Sequence, residues 1–121
     1  MRSIKIFFPV MLFAIVFSNC AVSNAQSSKE MSAGIYLEHG VLEHRIGNIQ
    51  AALTDYNRAI AIKHNYANCY SNRGELKYKR LNDRSGAIDD IKQAAKLFRE
   101  RGNTEMYQKQ IDLLMVIQQG N

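Results

Sequence analysis

The chain has 121 residues, 46% of them hydrophobic, with one proline and no tryptophan, which is enough for one globular domain plus a targeting segment and leaves no room for a second domain. The formal charge of +5 shrinks to +3 once Arg2 and Lys5, in a stretch expected to be removed, are set aside, leaving 14 basic against 11 acidic side chains. Nucleic-acid binding, which needs a concentrated basic face, is not indicated, and the scarcity of Pro and Gly beside many Ala, Ile, Leu, Lys, Gln and Arg residues predicts an all-α fold.

Residues 1–25 read as a secretory signal peptide. Arg2 and Lys5 give a positive start, Ile6 to Phe17 is almost wholly apolar, and Ser23-Asn24-Ala25 offers small residues for cleavage after Ala25. The apolar run is shorter than the roughly 20 helical residues that cross a bilayer, so an uncleaved anchor is the lesser alternative. A second alternative is a lipid anchor on Cys20, in Phe17-Ser18-Asn19-Cys20, but Asn19 is larger than the residue that normally precedes such a cysteine. The expected location is extracytoplasmic: periplasmic, lumenal or secreted. Contact with a membrane is expected only if the signal stays uncleaved or Cys20 is lipidated. After cleavage Cys69 is the remaining cysteine, so no intramolecular disulfide forms. The 96 residues left must be held by packing, burying roughly 60 to 65% of their unfolded surface.

Residues 26–32 are expected to form a flexible N-terminal segment, and an internal repeat organises the chain from residue 33 onward. Tyr36 and Gly40 recur at Tyr70 and Gly74, an offset of 34, while Ala52, Tyr56 and Ala59 recur at Ala87, Ile91 and Ala94, an offset of 35. Periods in this range mark stacked supersecondary units. Aligning Ile46 with Leu81 puts the extra residue near Tyr78-Lys79-Arg80. The apolar spacing inside each period is helical, with Ile49, Leu53, Tyr56 and Ile60 in the first and Ile88, Ile91, Ala95 and Phe98 in the second. Gly47-Asn48 and Asn82-Asp83 separate the helices of each pair and supply candidate N-caps. These signals place unit one at 33–66 and unit two at 67–101.

A further helix is predicted over 102–121. Gly102 suits the position just past the preceding helix and Asn103 or Thr104 suits the cap. Tyr107, Ile111, Leu114 and Ile117 form its apolar stripe while Gln108, Lys109, Asp112 and Gln119 face water. A helix with one polar side closes the open end of a helical array.

These residues resemble the tetratricopeptide repeat (TPR) family, whose units read as an aromatic, then Gly, then a second-helix Ala-x3-aromatic-x2-Ala. Tyr36, Gly40, Ala52, Tyr56 and Ala59 match in unit one, and Tyr70, Gly74, Ala87 and Ala94 in unit two, over about residues 33 to 101. Departures are His39 and Arg73 at usual leucines, Glu43 and Lys77 at usual aromatics, Ile91 for the second aromatic, and His64 near the usual terminal proline. The resemblance implies a short α-α superhelix, right-handed, of two hairpins plus a capping helix. It also implies that the first helix of each unit lines a concave surface holding a partner protein or peptide. Carried over, that groove consists of Leu37, Val41 and His44, then Ser71, Glu75 and Tyr78, with Asn68, Asn72 and Lys79 nearby; the bland alternative is plain surface. The carboxylate clamp of some relatives needs polar residues where Leu37 and Val41 stand, so these two point to an apolar contact, or to contact with residues 26–32.

Other chemistry is not assembled. His39, Glu43 and His44 lie close in sequence, but His39 and His44 point from different faces and no further ligand falls at zinc spacing; surface or packing histidines are expected, and no metal. Cys69 reads as a small buried residue rather than an intermolecular disulfide. Lys77, Lys79, Arg80 and Arg84 are interrupted by Asp83 and followed by Asp89 and Asp90, which reads as a solvated face. No nucleophile motif, phosphate-cradling loop or carboxylate pair is present, and neither an enzyme nor a cofactor is expected. The expected function is that of an exported adaptor or assembly factor, with a self-associating structural subunit or a membrane-tethered scaffold as alternatives.

Overall fold

A computed structural model describes the backbone of residues 4–120, with side-chain burial and contacts from Asn24 onward. Met1 to Ser3, and the side chains of the expected signal's apolar run and of Cys20, lie outside the described residues. Five helices occur in order: α1 (Ile4–Ile46), α2 (Ile49–Ile62), α3 (Ala67–Arg80), α4 (Arg84–Glu100) and α5 (Thr104–Gln119). No helix among the described residues is long and apolar enough to cross a membrane.

Each helix pairs with the next. α1 packs on α2 and α3 on α4 as two hairpins, α5 lies on α4, and α2 meets α3 where the hairpins stack. The glycines of the repeat make the hairpins tight. A Cβ on Gly40 would stand 2.8 Å from the Tyr56 ring, and one on Gly74 would stand 2.6 Å from Cδ1 of Ile91, so each opposing side chain fills the space that the missing methyl leaves. Tyr56, Leu76, Ile91 and Ile117 are fully buried, each stabilising the fold by about 1.5–3 kcal/mol relative to an exposed side chain.

Local chemistry sets the helix ends. Gly47 and Gly102 adopt φ of +93° and +71°, and Asn82 φ of +52°, the left-handed region where Gly and Asn are least strained. The Asp83 carboxylate accepts from Gly86 N–H at 2.9 Å and the Asn103 side chain from Met106 N–H at 3.1 Å. Asn48 precedes α2 but makes no side-chain cap; its carboxamide donates instead to Glu43 at 2.7 Å.

Two expectations are corrected. Residues 26–32 belong to α1 instead of forming a flexible segment. Ser28 and Ser32 return their hydroxyls to the carbonyls of Ala25 and Ser28, and Glu30 reaches Lys63 at 3.6 Å. Lying on the same helix as Leu37 and Val41, these residues cannot fold over them. The extra residue of the second period sits in the α3–α4 turn, where 81–83 replace the two-residue turn 47–48, because an insertion inside a helix would rotate every later side chain by about 100°.

Candidate partner-binding cleft

α1, α3 and α5 run along one side of the stack and enclose a cleft of about 470 Å³. α1 contributes Leu37, Glu38, Val41 and Leu42, α3 contributes Asn68, Ser71 and Asn72, and α5 contributes Met106. Spacings of three and four residues put the α1 set on one helical strip and the α3 set on another. The wall on α1 is apolar because Leu37 and Val41 only half-emerge from the first core cluster, where they pack against Tyr56 and its neighbours. The wall on α3 is polar. Ser71 is buried and donates to the Gln110 carboxamide oxygen at 3.0 Å, which ties α5 to α3 and sets the cleft's far boundary, while Asn68 stays exposed and Asn72 half-buried.

Five of the nine residues predicted for the groove therefore come together: Leu37, Val41, Asn68, Ser71 and Asn72. His44, Glu75, Tyr78 and Lys79 do not line the cleft. Tyr78 packs against the cluster of Ala87, Ile91, Leu114 and Ile117 between α4 and α5, and Lys79 pairs with Glu75 at 3.1 Å. Half-buried against side chains of α4 and α5, Tyr78 is drawn away from the cleft. Glu38, Leu42 and Met106 were missed by sequence reasoning. The first two fall between positions transferred from the family, and Met106 lies on a helix with no counterpart in the repeat.

The cleft carries one charged lining residue, Glu38, and no activated nucleophile. Cys69 is fully buried, its Sγ donating to the Tyr56 carbonyl at 3.3 Å, and burial pushes its thiol up to about 12, so the thiolate needed for disulfide chemistry does not form near neutral pH. Burial likewise pushes the Tyr56 phenol up to about 12. His39, outside the cleft, lies 2.5 Å from an Asp55 oxygen through Nδ1 and 3.5 Å from Glu43 through Nε2. The hydrogen bond to Asp55, with the attraction of both carboxylates, raises its pKa above the ordinary 6.5 despite opposing desolvation. A second, more polar depression lies between Gln26, Lys29 and Glu30 of α1 and the end of α2 with the loop that follows it.

Residues 40–80, from the glycine of the first hairpin to the end of α3, match the TPR repeat family. The fold is a tetratricopeptide-type helical array. Tetratricopeptide repeat protein 36 of Danio rerio is 34% identical over 65 residues, covering 54% of this chain and 34% of that protein. The chain thus spans about a third of the length of this curated relative. Such repeats serve protein–protein interaction, and the α1–α3–α5 cleft lies on the first-helix side of the array.

Proposed function

We propose that the chain is an exported, non-catalytic adaptor or assembly factor that holds a segment of another protein in the α1–α3–α5 cleft. The observation that carries the reading is the cleft itself, with apolar Leu37, Val41, Leu42 and Met106 opposite the carboxamides of Asn68 and Asn72. Apolar side chains of a partner segment would be anchored on α1, while the asparagines offer donors and acceptors to its backbone. Export rests on the sequence of residues 1–25, and intact mass of the purified protein tests it: a chain starting at Gln26 supports cleavage, a lipidated Cys20 or a retained Met1 supports tethering.

The cleft is tested by capture from extracts of the producing cells, comparing the native chain with Asn68→Arg/Asn72→Arg, which fills the cleft from exposed and half-exposed positions without touching the core. A partner retained by the native chain and lost by the variant, at unchanged helical circular dichroism, supports the cleft. Equal capture by both rejects it.

A further inference from the structure

α1 carries two faces. Ala33, Tyr36, Gly40 and Val41 face the core, while Met31, Ile35, Leu42 and Ile46 are 66%, 60%, 54% and 68% exposed. At 100° per residue the latter four fall within about 60° of one another on the far side of the helix. They make four of the six large hydrophobic side chains exposed among the described residues.

The repeat shows what such a face is for. Moved by the offset of 34, Ile35 and Leu42 correspond to Cys69 and Leu76 of α3, both fully buried in the cluster with Ala52, Tyr56 and Ala59 of α2. In the second unit, then, this face is covered by a helix. α1 runs unbroken from Ile4, so the described chain turns no helix back over it. The spacing of the exposed residues is also palindromic: Met31 and Ile46 lie equally far from the point between Glu38 and His39, and so do Ile35 and Leu42. That is the pattern a two-fold axis requires, since each residue of an isologous interface meets its mirror position in the partner.

We propose that the outward face of α1 pairs antiparallel with α1 of a second copy, about an axis between Glu38 and His39, so that Met31 packs on Ile46 and Ile35 on Leu42 in both directions. Met31, Ile35 and Ile46 lie outside the cleft, whereas Leu42, like Glu38, also lines it, so the seam and a segment held in the cleft share one edge of α1. The seam is one helix wide and about 23 Å long, below the roughly 800 Å² per partner of a stable complex, so the dimer is reversible, with dissociation on the order of micromolar. Glu38 sits in the middle of the stripe and meets its own mate near the axis, a like-charge contact that weakens the pair and keeps it reversible.

Sedimentation of the full chain from about 1 to about 500 µM should show the mass double. Ile35→Glu should hold it monomeric at unchanged helicity, and Glu38→Leu should tighten the dimer about ten-fold or more. Cysteine placement gives a readout that needs no destabilising change. In a Cys20→Ser background, Glu38→Cys should oxidise to a linked dimer, whereas Ile46→Cys should not, its two copies lying about 22 Å apart along the helices; mixed with Met31→Cys, it should. A strict monomer at the highest concentration overturns the pairing and leaves the face to a helix of another protein. A dimer indifferent to Ile35→Glu, or a linked dimer formed by the Ile46→Cys variant alone, overturns the antiparallel seam.

Discussion

In the α3–α4 hairpin, Arg73 sets its guanidinium against Asp90 through two hydrogen bonds of 2.8 and 2.6 Å, and Lys77 adds a third contact at 2.9 Å. In the α1–α2 hairpin the equivalent positions, 34 and 35 residues earlier, hold His39 and Asp55, with Glu43 where Lys77 stands. Both pairs tie the first helix of the hairpin to the second, and Asp55 and Asp90 are comparably buried. The charge arrangement is inverted. The second hairpin places two permanent cations around one carboxylate, and the first places one titratable imidazole between two carboxylates, with the exposed Arg58 of α2 a longer 3.6 Å from Asp55. Arg73 also spans to Asn57 of α2 at 2.8 Å and lies 5.5 Å from the Tyr70 ring centre, joining the hairpins, whereas His39 is largely exposed and serves its own hairpin. One repeat position thus gives a fixed clasp in one unit and a pH-dependent one in the other.

The largest difference is expected on removing the buried carboxylates. Asp90→Ala leaves Arg73 and Lys77 facing an apolar gap and should cost about 3–5 kcal/mol in urea unfolding. Asp55→Ala should cost clearly less, because its partners His39 and Arg58 are both largely exposed and turn to water; equal losses would show that the two clasps are equivalent after all. The glycines come next. Gly40→Ala drives a methyl into the fully buried Tyr56 ring and should lose about 1–3 kcal/mol, although Ala favours helix by about 1 kcal/mol. Gly74→Ala should lose less, since its methyl first meets the flexible end of Ile91.

The smallest effect concerns pH. A raised folded-state pKa means that the His39 contribution is fully present below the ordinary 6.5 and disappears as pH climbs through the raised value. The His39 ring should titrate above 6.5 by NMR, and stability should fall across that window. His39→Arg/Glu43→Lys, which copies the second hairpin into the first, should remove this slope. A slope that persists in the double variant would place its origin elsewhere.

Helix positions, the hairpin pairing and the small-residue contacts were legible in the sequence because period, offset and cap chemistry are local. Tyr36, Gly40, Ala52, Tyr56 and Ala59 sit where the repeat puts them, and Asn103 caps α5 as its position suggests. The clasps were not legible. His39 and Arg73 register only as departures from leucine, and their partners lie sixteen and seventeen residues away on another helix. Three of the eight residues lining the cleft also escaped: Glu38 and Leu42 fall between the positions transferred from the family, and Met106 enters only through where α5 comes to rest.

By itself, the sequence determined an all-helical array of two hairpins and a closing helix, since apolar periodicity and the glycine and alanine positions leave one way to bury those stripes. Tertiary structure alone decided which side chains remain for a partner. It packed Tyr78 against α4 and α5, joined Ser71 to Gln110, drew residues 26–32 into α1 and left that helix with an uncovered apolar face. Each of these outcomes turns on the angle and position at which one helix meets another, and no local pattern of residues encodes that.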